Sequence, residues 1–379
     1  MKKIPLRFLL SITFFIIAII ILWSARVSPY DLVMALWWPI LTVLQFSLIL
    51  LAFTSLPFRY HVLALGLGAS VVPLITFLIK KPLWLLLDGS KLQYILSDNA
   101  FFGTINLIAP LIAPIIEEFT KVLPVMLIFF LLLRFKKYRL LSPIDFALLG
   151  LFAGAGFDIF ENIARVMNGF TSMNGLYRSP VNEPLPSLFG IFLYPSLYKS
   201  EYLGNPMILF GHSGLAAAIA LAFGWFVYLK KKRYVILTVL VYAICVFDHS
   251  MWNWYEPYPE QLWAKVLPSF TLYGRLIPIG FTIGLIYTSY MLVRNKSRFR
   301  QELAKSKQII DSPQKRLVSI KTWFILLQRD NQLANAFRHY LKEGIKAEPF
   351  DFVVQEIIGK KDRHGDGSFV SDAGTVPLS

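Results

Sequence analysis

Apolar residues dominate this chain in long runs that are separated by short polar segments. Because an α-helix rises about 1.5 Å per residue and the hydrocarbon core of a bilayer is about 30 Å thick, runs of this length predict transmembrane helices. The predicted spans cover residues 8–24, 31–54, 62–79, 104–133, 143–168, 206–229, 234–255 and 268–293. The pattern therefore predicts an all-α polytopic membrane protein with about eight transmembrane helices.

The composition agrees with this pattern. Hydrophobic residues make up 56% of the 379 residues and charged residues 16%, with a mean hydropathy of +0.56. A soluble globular protein carries about 25% charged residues. The single cysteine, Cys245, excludes an intrachain disulfide.

The basic residues predict the orientation of the spans. The net charge is +15, and most of the excess lies in short clusters beside apolar runs, where Lys and Arg mark the cytoplasmic side. With an uncleaved first helix and cytoplasmic termini, the clusters at 134–139, 230–233 and 294–300 all face the cytoplasm. Lys80 and Lys81 fall on the outer side as the one exception. We interpret this charge as topology and lipid contact, with no role in nucleic-acid binding.

Three regions follow from the pattern. Residues 1–103 hold the first three predicted helices, residues 104–294 hold a polar-centred core, and residues 295–379 form a polar, basic tail. In the tail, Leu317, Ile320, Phe324 and Leu327 recur at helical spacing. Such a basic amphipathic helix is expected to lie on anionic lipid at the cytoplasmic face, followed by disorder from about residue 359.

The stretch Glu117-Glu118-Phe119-Thr120-Lys121 places three charges inside one apolar run. An ionisable group at membrane depth costs several kcal/mol by roughly any scale, so it indicates a functional site. Lys121 follows Glu118 by three residues and Glu117 by four, which puts it on the same helix face as either glutamate. We expect it to neutralise one of them.

Three further helices carry polar groups at matching depth. Glu161, His212 and His249 each lie roughly 9–10 Å from the outer end of their predicted helix, counted at 1.5 Å per residue. The supporting residues of this pattern are Phe157, Asn162 and Asn253. We therefore expect the four helices to form one polar site in the outer half of the membrane.

These residues resemble the motifs of a known family. The series Glu117-Glu118-x-x-Lys121, Phe157-x-x-x-Glu161-Asn162, His212 and His249-x-x-x-Asn253 is similar to that of the PrsW-type intramembrane proteases. The CAAX prenyl endopeptidases and the APH-1 subunit of γ-secretase are more distant relatives of this pattern. The motifs span residues 104–255, outside the first three helices and the tail. The resemblance implies a water-activating glutamate/histidine endopeptidase that cuts a membrane-anchored protein, such as an anti-sigma factor. We expect a single-span substrate that is cut near the outer face, where the depth count places the polar site.

Two hydrolytic mechanisms use these residues. In the first, which needs no cofactor, Glu117 or Glu118 takes a proton from a water held by His212 or His249. Glu118 is the preferred base, positioned by Glu161 and Lys121, and a histidine or Asn253 stabilises the oxyanion. In the second, Glu161, His212 and His249 bind a catalytic zinc ion.

Two other interpretations remain open. Gly211-His212-Ser213-Gly214 resembles the Gly-x-Ser-Gly of rhomboid-type serine proteases, with His249 as the base. That interpretation leaves all three glutamates unexplained. A non-catalytic scaffold or a proton-coupled transporter also fits buried acids and histidines, although the chain shows no second copy of the Glu-Glu helix.

Overall fold

The computed structural model of this chain describes a set of helical segments and one short sheet. The described residues are 29–88, 108–134, 141–167, 198–200, 207–209, 211–255, 266, 269–270, 272, 274–305 and 331–332. The helices are α1 (Pro29–Leu50), α2 (Phe58–Asp88), α3 (Ile108–Arg134), α4 (Pro143–Met167), α5 (Gly211–Leu229), α6 (Arg233–Tyr255) and α7 (Leu276–Lys305). Strands β1 (Tyr198–Ser200) and β2 (Met207–Leu209) pair antiparallel.

The helical, membrane-spanning character predicted from the sequence is confirmed. Five of the described helices, α2, α4, α5, α6 and α7, are long and apolar enough to cross a membrane. The small β1–β2 sheet is an addition that the apolar pattern did not predict. The first predicted span, 8–24, and most of the tail lie outside the described residues, so the total of eight spans and the cytoplasmic termini stay predictions.

Several helix boundaries differ from the predicted ones. The span predicted at 268–293 is α7, which runs from Leu276 to Lys305 and so extends into the predicted tail. For two other boundaries the structure shows the reason. The span predicted to start at residue 206 starts at Gly211, because residues 207–209 form β2 and Gly211 has φ 68°, a conformation that glycine adopts without strain. Helix α2 continues past the predicted end at residue 79 to Asp88. The lysine at position 80 does not end the helix, because its charge meets a carboxylate on α3.

Helix α4 lies at the centre of the first of two units, Met1–Met291 and Leu292–Ser379. Every residue from Leu141 to Phe157 is buried. Small residues bring its neighbours close: a Cβ on Gly156 would lie 2.6 Å from the Ala69 nitrogen of α2, and one on Gly150 would lie 2.6 Å from the Ala220 Cβ of α5. Close backbone approach through glycine is the usual packing device between helices in membranes.

Aromatic rings fill the apolar part of this unit. Phe129 of α3, Phe146 of α4 and Phe223 of α5 pack with ring centroids 5.5–5.7 Å apart. Phe129 and Phe223 each lie roughly three turns along their helices from the polar residues of the sequence motifs. The charged groups of the three helices therefore lie at one end of a shared apolar core.

Asp145 fixes the start of α4 and ties it to the segment between α1 and α2. The Ser142 backbone N–H donates to Asp145 Oδ2 at 2.6 Å and the Asp145 N–H donates back to Ser142 Oγ, which is a capping box. Thr54 Oγ1 and the backbone N–H groups of Ser55 and Leu56 donate to Asp145 Oδ1 at 2.6–3.0 Å. The hydroxyls of Ser55 and Ser142 complete the set on Oδ2. This carboxylate is saturated by structural partners, so it anchors the fold.

Replacing Asp145 by Asn tests that anchor. In the variant an NH2 group replaces one carboxylate oxygen, so the donors that bond to that oxygen in the wild type lose their acceptor. A buried donor without an acceptor costs about 1–3 kcal/mol. We expect Asp145→Asn to lower the free energy of unfolding by about 2 kcal/mol or more, measured from thermal unfolding in detergent. The control is Ser70→Ala, which removes a hydroxyl whose one hydrogen bond with the described residues is to Gly66 O of its own helix. Equal stability of the two variants would contradict this role.

Candidate functional site

The structure brings the predicted polar residues of four helices into one connected cluster. Glu117, Glu118 and Lys121 come from α3, Glu161 from α4, His212 from α5 and His249 from α6. The rings of His212 and His249 lie with their centroids 4.9 Å apart. The common depth counted from the sequence is therefore matched by direct contact.

Lys121 lies at the centre of this cluster, and its side chain is fully enclosed. Its ammonium donates to Glu118 Oε1 at 2.6 Å and to His212 Nδ1, and it lies 4.7 Å from the centroid of the Phe157 ring. Two acceptors and one aromatic face match the three N–H groups of an ammonium. The predicted pairing of Lys121 with one of the two glutamates is therefore seen with Glu118.

His212 links Lys121 to Glu161. An ammonium has no acceptor, so Nδ1 of His212 accepts from Lys121 and Nε2 carries the ring proton. That Nε2–H donates to Glu161 Oε2 at 2.6 Å. The Phe157 ring packs edge-on against the imidazole, with the centroids 5.1 Å apart and the planes at 87°. Phe157 thereby contacts both Lys121 and His212.

His249 bridges the two adjacent glutamates. Its Nδ1 lies 2.8 Å from Glu118 Oε1, and its Nε2 lies 3.6 Å from Glu117 Oε2. Glu118 Oε1 thus has two partners, Lys121 and His249. Glu118 Oε2 is buried and has no hydrogen-bond partner among the residues that the structure describes.

The three glutamates differ in the exposed fraction of their side chains. The Glu118 side chain is 0% exposed, that of Glu117 10% and that of Glu161 27%. Adjacent residues point about 100° apart on a helix, so Glu117 and Glu118 meet different partners. Glu161 is the carboxylate at the accessible side of the cluster, and Glu118 is the innermost.

The supporting residues are placed less uniformly. Asn162 is buried beside Glu161, whereas Asn253, one turn after His249, is half-buried and forms no hydrogen bond with the described residues. Ser213 donates its backbone N–H to Asp158 Oδ2 at 3.1 Å and its hydroxyl to the same oxygen. Its hydroxyl therefore meets a carboxylate where the serine-protease interpretation requires an imidazole, and His249 bonds to Glu118.

One site residue was missed by the sequence motifs. Lys80 of α2 contacts Glu117 Oε1, and its side chain is 31% exposed. Thr76, one turn earlier, joins the same two helices through a 2.7 Å hydrogen bond to Thr120. The sequence did contain a sign of this role, because Lys80 and Lys81 are the basic pair that the predicted topology places on the outer side of the membrane.

The comparison with protein families agrees with this geometry. Residues 56–283, more than half of the chain, match the family described as PrsW family intramembrane metalloprotease. The chain belongs to the PrsW family. The match is longer than the motif region 104–255 and includes α2, which carries Lys80. No curated protein and no solved structure matches the chain.

The family description includes the word metalloprotease, so the expectation of a mechanism without a cofactor is not supported. The alternative with a zinc ion agrees better with the family. The donor atoms fit a divalent cation. Glu117, His212 and His249 each offer one ligand atom, and these atoms lie within 4.8 Å of one another. Two imidazoles and one carboxylate form a known catalytic zinc set. The carboxylate in this set is Glu117, whereas the sequence interpretation placed Glu161 there.

The charge of the cluster also fits a cation. The cluster and the adjoining Asp158 include four carboxylates, those of Glu117, Glu118, Asp158 and Glu161, and two ammonium groups, those of Lys80 and Lys121. With both histidines neutral and the six other groups ionised, four negative and two positive charges leave a net charge of −2, which a divalent cation would balance. Metal binding to His212 would replace one of its present contacts, that of Nδ1 with Lys121 or that of Nε2 with Glu161.

The close approach of α4 to α5 at Gly154 provides a test of how this PrsW family site is positioned. A Cβ there would lie 2.7 Å from Ser213 Cα and would also overlap the His212 carbonyl oxygen. We expect Gly154→Ala to displace His212 and reduce substrate cleavage about 100-fold, because misplacement by about 1 Å costs that much. The control is Gly280→Ala, where the added Cβ meets nothing within 4 Å. Unchanged cleavage by Gly154→Ala in a reconstituted assay would contradict this.

Proposed function

We propose that this protein is a metal-dependent intramembrane endopeptidase that hydrolyses a single-span membrane protein, such as an anti-sigma factor, in the outer half of the bilayer. The observation that supports this most directly is the joining of Glu117, Glu118, Glu161, His212 and His249 from four helices around one enclosed lysine. Family membership supplies the reaction class.

In this proposal Glu117, His212 and His249 hold the metal ion. When bound, a zinc ion polarises a carbonyl oxygen and makes a coordinated water nucleophilic near neutral pH. The residues of this chain hold that arrangement in place. His249 is fixed through Nδ1 by Glu118 Oε1 at 2.8 Å, so that Nε2 faces Glu117. Carboxylate–histidine contacts of this kind set ring orientation and tautomer in metal sites.

Glu118 is proposed as the general base. Its Oε1 is held by Lys121 and His249, while Oε2 is buried without a partner among the described residues. A buried acceptor without a donor calls for a specific role or a water molecule. A water molecule that donates a hydrogen bond to Glu118 Oε2 would satisfy this oxygen, and Glu118 could then remove a proton from that water. In this proposal Glu161, the most exposed of the three glutamates, orients the His212 ring through Nε2, and a metal ion bound to that ring would displace this hydrogen bond or the one that Nδ1 accepts from Lys121.

The contacts of Lys121 and Phe157 support the electrostatics of this mechanism. The Lys121 ammonium lies against the Glu118 carboxylate and is itself shielded by the Phe157 ring. Asn253 offers a side-chain amide one turn from His249, and we propose that it donates to the carbonyl oxygen of the scissile bond. Donors fixed before the reaction stabilise the charge that develops on that oxygen.

Separate measurement of metal content and cleavage distinguishes a ligand from a base. We expect Glu118→Gln to reduce cleavage of a tagged single-span anti-sigma factor at least about 100-fold, because the base is lost, while bound zinc is retained. Glu117→Gln and His249→Ala are expected to lose both cleavage and zinc, measured by elemental analysis of the purified protein. Ser213→Ala is the control and should cleave normally. Loss of zinc in Glu118→Gln with normal zinc in Glu117→Gln would reverse the assigned roles.

Metal removal tests the cofactor directly. Treatment with a chelator should abolish cleavage, and added zinc should restore it, because no ligand residue is chemically altered. The matched sample receives a zinc-saturated chelator and should retain activity. Full activity of protein shown to contain no metal would favour the metal-free mechanism.

A further inference from the structure

Lys80 and Glu117 form a contact that the hydrolytic roles above do not use. The Lys80 ammonium bonds to Glu117 Oε1, while Glu117 Oε2 faces His249 Nε2 at 3.6 Å. One carboxylate thus divides its two oxygens between a lysine on one side and the candidate metal ligands on the other. Lys80 belongs to α2, so a fifth helix contributes to the site.

The position of Lys80 argues that this contact is more than a helix–helix anchor. Helices α2 and α3 are already joined by the Thr76–Thr120 hydrogen bond one turn away. Lys80 is partly exposed, at 31%, among outward-facing apolar residues such as Phe77 and Leu78. An ammonium at such a position is costly unless a charge partner compensates for it.

The neighbouring Lys81 shows what a lysine does here without a carboxylate. Its ammonium lies over the Phe77 ring, 5.4 Å from the centroid, and it is exposed. No ion pair of Lys81 with another described residue is present. The two adjacent lysines therefore differ in one respect that matters, namely contact with a candidate metal ligand.

We propose that Lys80 is a positioning residue that neutralises Glu117, restricts it to one oxygen for the metal, and thereby weakens metal binding. This inference rests on the proposed function, because it takes Glu117, His212 and His249 as the ligands. The ammonium bonds to one oxygen of the carboxylate whose other oxygen is the proposed ligand, so it repels a divalent cation bound there. Even at the dielectric constant of water, a unit charge about 6 Å from a divalent cation changes affinity by roughly tenfold.

Zinc affinity of the full-length protein, measured in detergent by competition with a chromophoric chelator, tests this inference. We expect Lys80→Met to bind zinc at least about tenfold more tightly than wild type, because the repelling charge is removed. Lys80→Arg keeps the charge and should stay within about threefold of wild type. Lys81→Met is the matched control, one residue away, and should leave the affinity unchanged.

Two variants at one position separate this role from a structural one. Lys80→Met and Lys80→Arg both replace the lysine, but only Lys80→Met removes the charge, so the gain in zinc affinity should be confined to Lys80→Met. If wild type binds no zinc, the proposed function fails. If wild type binds zinc through Glu117, His212 and His249 but Lys80→Met binds with equal or lower affinity, the metal site stands and the role of Lys80 is refuted. Retained thermal stability of Lys80→Met confirms that the comparison concerns folded protein.

Discussion

The fully enclosed ion pair between Lys121 and Glu118 is the interaction on which the rest of the site depends. Taking either charge out of water costs roughly several kcal/mol, and the pair is stable only when close contact and further hydrogen bonds compensate for that cost. Lys121 meets this condition through Glu118, His212 and the Phe157 ring, which come from α3, α5 and α4. Satisfying one buried lysine therefore fixes three helices relative to one another, and His249 of α6 joins through the same carboxylate oxygen.

The fold supports this polar end with an apolar core and a second buried carboxylate. Glycines at 150, 154 and 156 let α4 approach α5 and α2 at backbone distance. Phe129, Phe146 and Phe223 fill the apolar part of the bundle, and Asp145 anchors the start of α4. The carboxylates of Asp145 and Glu118 differ in their hydrogen bonding. Asp145 is saturated by neutral structural donors, whereas Glu118 retains one buried oxygen without a partner among the described residues, which is the state expected of a reactive group.

Much of the site was predictable because polar residues in apolar runs are too costly to be incidental. Helical spacing identified Lys121 as the partner of a glutamate, and depth placed Glu161, His212 and His249 together. Contacts that depend on tertiary packing were not predictable. Lys80 was recognised only as an exception to the charge bias, since its partner lies on another helix. Spacing also could not decide that Glu117, rather than Glu161, forms a candidate ligand set with both histidines. The start of α5 was predicted too early, because an apolar strand and an apolar helix look alike over a few residues.

The assignment of Glu117, His212 and His249 as metal ligands is the central claim, and X-ray absorption at the zinc edge of the zinc-loaded protein tests it most directly. The account predicts two imidazole nitrogens and at least one carboxylate oxygen at about 2.0–2.2 Å from the metal. His249→Ala, which is expected to lose the metal, should give no zinc signal above background. A spectrum without imidazole scattering, or one that His249→Ala leaves unchanged, would contradict the account.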